Sequence, residues 1–183
     1  SFQKDDSKIE SKGITGNGLF LLDSNITNCG IYTVDRPPHD KSYFIAQLKA
    51  VDSYFRNVSN NQFGIDLDNS VVFPNGEIDS YKLDQKMDYY HPYEESDEVQ
   101  EQRIVELFKD ALTLANTIDY SVFDLVVVFH AGVGQELNWP FLDPTPEDIP
   151  STYIDRDMLG DPLFNVDHGI ILPETQNHLI FEE

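Results

Sequence analysis

Residues 123–129 read Phe-Asp-Leu-Val-Val-Val-Phe, and no other segment restricts the fold so strongly. Successive valines lose rotamer freedom in a helix and sit well on a pleated surface. Their apolar run is not broken by alternating polar residues, so neither face can be given to water. The segment predicts a strand from Phe123 to Phe129, inner to a sheet and covered on both faces. It runs directly into His130-Ala-Gly-Val-Gly-Gln-Glu136, which reads as a turn. His130 and Glu136 are the candidate site residues. Acid–base work is one use for them; shaping the wall of a cleft is the other. The structural use predicts hydrogen bonds from His130 to backbone carbonyls and from backbone N–H groups to Glu136.

A covered strand needs helices to cover it, and two segments have the right period. Asp40 is a good N-cap, and Phe44, Leu48, Val51, Phe55 and Val58 then recur at steps of four and three. That stripe predicts a first helix facing a core, stopped at Asn60-Asn61. The acidic stretch Tyr93 to Glu98 leads into the second, Glu98 to Asn116, with Asp97 and Gln100 as a capping box. Glu98 and Glu101 suit its N-terminal dipole, and Ile104, Leu107, Phe108, Ala111, Ala115 and Ile118 form its buried face. This second helix is expected on one face of the strand Phe123 to Phe129.

The rest reads as connection and short strands. Residues 1–40 are mostly loop, with one short strand at Gly18 to Leu22. Phe63-Gly-Ile65 and Ser70 to Phe73 offer two more, ahead of the Pro74-Asn75-Gly76 turn. Residues 41–136 hold the helix and strand core. The five prolines between Pro140 and Pro162 make 137–169 an irregular excursion. Residues 170–183 contain a strand at Ile170 to Leu172 and, at Leu179 to Phe181, the start of an unfinished apolar element. The fold class is α+β: a small twisted mixed sheet with two main helices, in a single partial domain, 1–183.

Charge narrows the partners. Thirty-three Asp and Glu against 12 Lys and Arg give a net charge of −21. Such a field repels phosphate backbones and anionic lipid, which excludes nucleic acid as a partner. The longest apolar run, Leu125 to Phe129, is far too short for membrane insertion. Cys29 is the only cysteine, so no internal disulfide can form. Glu94-Glu95 and Asp97-Glu98 leave calcium open, as a site or as a bare solvated face.

Most catalytic motifs are missing. His130-Ala-Gly-Val-Gly lacks the spacing and lysine of a phosphate loop, and no G-x-S-x-G occurs. The five histidines, His39, His91, His130, His168 and His178, contain no helical i, i+4 pair and no H-E-x-x-H. Asn25-Ile-Thr27 and Asn57-Val-Ser59 match the glycosylation sequon.

Several segments, in order from about Gly16 to Thr175, resemble one family. "YFIAQLKAVDSYFRNVSNNQFGID" looks like an aromatic helix and its exit in the M6, or immune inhibitor A-like, metallopeptidases. "YKLDQKMDYY" is similar to the segment that follows there. "FDLVVVFHAGVGQE" resembles their strand and HAG.G.E signature, and "GIILPET" the strand leading toward their zinc helix. The resemblance implies a secreted or cell-surface zinc endopeptidase acting on polypeptide substrates, with a metzincin-like catalytic domain. It also implies that this chain is the N-terminal half of that domain, without the H-E-x-x-H helix, and inactive alone. No zinc ligand can be carried over. The family's aspartate-rich turn is reduced here to Asp119-Tyr-Ser-Val-Phe-Asp124. The alternative is a non-catalytic acidic binding or surface module that keeps the fold.

Overall fold

The computed structural model describes residues 1–4, 18–22, 37–76, 79–135, 148–160 and 164–175. In chain order the elements are α1 (Lys41–Val58), α2 (Met87–Tyr90), α3 (Asp97–Leu114), a 3-10 turn (Tyr120–Val122), β1 (Val126–Val133), β2 (Thr152–Ile154), α4 (Arg156–Leu159) and β3 (Gly169–Thr175). The described residues are thus α+β, with four helices and a three-stranded mixed sheet. They fall into two compact units. The larger comprises 1–4, 18–20 and the residues from Tyr81 on; the smaller comprises Leu21, Leu22 and the residues from Pro37 to Ser80. Glu136, Cys29, Asn25, His178 and the apolar segment Leu179 to Phe181 lie outside the described residues.

In the larger unit the sheet order is β1-β3-β2. β1 runs parallel to β3, with Val126 opposite Gly169 and His130 opposite Pro173; β2 is antiparallel to β3. Two expectations change here. The valine strand starts at Val126 and continues to Val133, so His130, Ala131 and Gly132 are strand residues and not a turn. Among the described residues it is β3, and not β1, that is inner. Val126 to Phe129 are accordingly only half-buried, while Ile171 of β3 is fully enclosed. The excursion over 137–169 is not wholly irregular either. Pro150 stands just before β2 and donates nothing to it, so Thr152–Ile154 and α4 still form.

Helix α3 buries Ile104, Val105, Leu107, Phe108 and Leu112 in the core of the larger unit, and Phe108 reaches the sheet. Burying a side chain of this size is worth about 1.5–3 kcal/mol. The contact is closest at β3, where a Cβ built on Gly169 would lie 2.3 Å from Phe108 Cζ. The N-cap is Ser96, not Asp97, and no capping box forms. Gln100 instead turns its amide back to the carbonyls of Tyr93 and Glu95, at 3.3 and 3.0 Å. α2 docks on α3 by two phenols: Tyr89 donates to Glu106 and Tyr90 to Asp110, each at 2.8 Å. Arg103 closes the group, its guanidinium 4.0 Å from the Tyr89 ring centre and 2.7 Å from Glu106. Beyond the helix, the Tyr120 hydroxyl donates to Ala115 O at 3.2 Å, and burial pushes that phenol up to about 12.

The smaller unit departs further from expectation. α1 has its N-cap at Asp40, which accepts from Tyr43 N at 3.1 Å, and it ends before Asn60 and Asn61 in left-handed backbone. Its apolar stripe does not all face a core. Phe44 is buried, but Val51 is 42% and Val58 63% exposed. The buried position in that stretch is Asp52. Both its oxygens accept from Arg56 Nε at 2.9 Å, and Oδ1 accepts from Ile65 N at 2.7 Å. Arg56 also donates to Ile65 O at 3.2 Å. Ile65 therefore spends both backbone groups on a helix side-chain pair and has none left for a strand partner. The expected strand Phe63 to Ile65 is absent for that reason. Ser70 to Phe73 also forms no strand; Asp66 gathers the N–H groups of Asp68 and Asn69 into a turn just before it. Gly18 to Leu22 forms none, since Gly18 O accepts from Phe2 N and Leu21 O from His39 N, each at 2.7 Å.

Two predictions follow from these contacts. Gly169→Ala is expected to cost about 1–3 kcal/mol, because the buried Phe108 ring must shift. Urea unfolding of the single variant, and of the same change in a Phe108→Leu background, will show how far the smaller aliphatic side chain reduces the penalty. The second concerns acid. Hydrogen bonds from Arg56, then the Ile65 N–H, hold the Asp52 carboxyl below its usual range against the opposing effect of burial. A carboxylate favoured by folding stabilises above its unfolded value of about 3.9 and loses that contribution as pH falls through the lowered folded value. Asp52→Asn should weaken α1 at neutral pH and flatten the loss of helical circular dichroism below pH ~4.

Candidate functional site

The candidate site lies where the carboxyl ends of β1 and β3 meet. Ends of parallel strands collect functional groups because side chains and loop backbone converge there. His130 is opposite Pro173, and Val133 is opposite Thr175. Three steps on β1 thus match two on β3, so one extra residue is accommodated at Ala131 and Gly132. Gly132 sits at φ +93°, in backbone that a side chain strains. Sequence and bulge agree: the small pair Ala131-Gly132 occurs where the ladder must deviate.

Two ionisable side chains, His130 and Glu174, are buried at this bulge, and Asp148 is buried next to Ile149. His130 and Glu174 are each 2% exposed and Asp148 is fully enclosed. His130 Nδ1 lies 3.0 Å from Ala131 O, a backbone carbonyl contact of the expected kind. Its ring packs beside Phe2, at 6.1 Å between centres, and Phe2 in turn lies 5.8 Å from Tyr90. Glu174 Oε2 accepts from Gly132 N at 3.1 Å. The chain just past β1 is held by Ile149, through a parallel bridge to Gly134 and a 3.3 Å bond from Gln135 N to Ile149 O.

Glu136 was expected to collect a backbone N–H group of this segment; it lies outside the described residues. The described carboxylate doing so is Glu174, 42 residues further along the chain from Gly132. Sequence reasoning did not single Glu174 out. The available signal was its place in "GIILPET", an acidic residue closing an apolar strand, but its partner depended on the β1–β3 register.

The other described histidines have different settings. His39 is buried and stacks on Tyr43 at 4.2 Å in the smaller unit. In the larger unit His91 is buried, and His168 is paired with Asp167 at 2.8 Å near the surface. Among the described residues no three His, Cys, Asp or Glu side chains are grouped to hold a metal ion. Glu94, Glu95, Asp97 and Glu98 are exposed. Asp119 is committed locally: it accepts from Ser121 Oγ at 2.6 Å and Ser121 N at 3.1 Å, which lowers its pKa. No helix among the described residues is long and apolar enough to cross a membrane.

Gly132→Ala should destabilise the fold by about 1–3 kcal/mol, the usual cost of a side chain in sparsely populated backbone. Thermal unfolding followed by near-UV circular dichroism measures it, and an unchanged midpoint would show that the bulge tolerates a Cβ. Comparison with known proteins adds no relative: no family model, no curated protein and no solved structure matches this chain.

Proposed function

We propose that this chain is the N-terminal, non-zinc-binding portion of a secreted or cell-surface M6-like zinc endopeptidase, equivalent to the N-terminal half of a metzincin-like catalytic domain. One observation carries the reading. Two segments that resemble that family, "VVVFHAGV" and "GIILPET", are adjacent parallel strands whose carboxyl ends share a buried polar bulge. The packing of α3 over the same sheet at Gly169 supports it. In this reading the sheet forms one wall of the cleft, and an extended polypeptide substrate aligns along an edge strand by β-augmentation. His130 and Glu136 shape or line that wall. The described residues do not make a zinc centre: His130 Nδ1 and Glu174 Oε2 are both turned to backbone, and no step through zinc is assigned to them.

The test uses two chains. The 183-residue chain, supplied with zinc and an unfolded polypeptide, is expected to cleave nothing. A longer product of the native reading frame that includes an H-E-x-x-H is expected to cleave it, and to stop when a chelator removes the metal. Cleavage by the short chain, or a reading frame without that motif, overturns the proposal; the second result favours a non-catalytic acidic module on the same fold.

A further inference from the structure

We propose that Glu174 is a positioning residue that sets which nitrogen of His130 carries the proton, acting through one peptide group. The two contacts at the bulge end on the same amide. Ala131 O, which lies 3.0 Å from His130 Nδ1, and Gly132 N, which lies 3.1 Å from Glu174 Oε2, belong to a single planar unit. A carbonyl has no proton to offer, so Nδ1 is the donor. In the neutral ring Nε2 then holds the lone pair. The carboxylate draws on the N–H of this amide, which raises electron density on its oxygen and strengthens the bond from Nδ1.

The backbone supplies the alignment. The extra residue between His130 and Val133, and the positive φ of Gly132, belong to the stretch whose amide meets a ring nitrogen and a carboxylate at once. Both side chains are 2% exposed, so water does not compete strongly for either bond. In this tautomer Nε2, itself buried, is the acceptor nitrogen of the ring. What meets Nε2 in a cleft rests on the peptidase reading; the relay from Glu174 to His130 does not.

The experiment is NMR of the full 183-residue chain labelled with 15N and 13C. In the native chain the His130 ring is expected in the Nδ1–H form, with a scalar coupling across the hydrogen bond from Gly132 N to the Glu174 carboxyl carbon. Glu174→Asp draws the carboxylate back by one bond, about 1.5 Å. The ratio of Nδ1–H to Nε2–H should then fall by up to about 2-fold, as loss of a roughly 10–30% strengthening of one net hydrogen bond implies. His168 serves as the unmoved control. Glu174→Gln keeps an acceptor oxygen and should restore the native ring spectrum. A native ring in the Nε2–H form overturns the relay. So does Glu174→Asp that speeds Gly132 amide exchange yet leaves the ring ratio unchanged, since Glu174 would then hold the bulge alone. If Glu174→Asp does not fold, the native coupling and the Glu174→Gln spectrum decide: absence of the coupling overturns the proposal. Peptidase activity enters none of these readouts.

Discussion

The approach of Phe108 to Gly169 is the contact on which the larger unit depends. An aromatic ring from α3 comes so near the backbone of the inner strand that no side chain fits between them. That approach seats α3 on the sheet at the point where β3 begins its parallel run beside β1. Every later pairing follows from that start. If Gly169 faces Val126, then Pro173 faces His130, and Glu174 is left one residue beyond, close enough to reach Gly132. A helix-to-strand contact at one end of β3 thus has a chemical consequence at the other.

Buried polar groups are placed by the same economy in both units. Glu174 takes up a backbone N–H that the bulge leaves out of the ladder, and Asp52 takes up the N–H of a loop residue that has no strand partner. In each case a carboxylate does what a neighbouring strand would otherwise do. The difference lies in what stands across from it. Asp52 has the Arg56 guanidinium beside it, so the pair is a clamp whose strength follows its ionisation. Glu174 has the buried amino terminus of Ser1 as a charged neighbour, and its backbone contact is an amide shared with an imidazole, the path by which we propose it acts on His130.

Legibility in the sequence varied with how local the cause was. The period of Ile104, Leu107, Phe108 and Ala115 marked α3 within two residues at each end, because helix formation depends on neighbours three and four positions away. Asp40 and the Asn60-Asn61 stop were legible for the same reason. The stripe on α1 had the same period but not the same burial, since period cannot say whether a face meets another element. Phe63 to Ile65 has strand composition, yet Asp52 and Arg56 claim its backbone; no pattern within three residues records that. The valine run was correctly extended, but whether it was inner or edge depended on which strand lay beside it.

The amino-acid sequence by itself determined the class of the fold: two long amphipathic helices, a valine-rich strand and a short second strand at Ile170 to Leu172, in a chain with a net charge of −21. It also marked His130 as a residue of interest. Tertiary structure alone decided that β3 is the inner strand among the described residues, that His130 lies in a strand, and that Glu174 bonds to Gly132 beside it. The physical reason is range. Helix periods and strand composition act over a few residues, whereas the Glu174–Gly132 hydrogen bond joins residues 42 apart and exists only once the parallel register has been set.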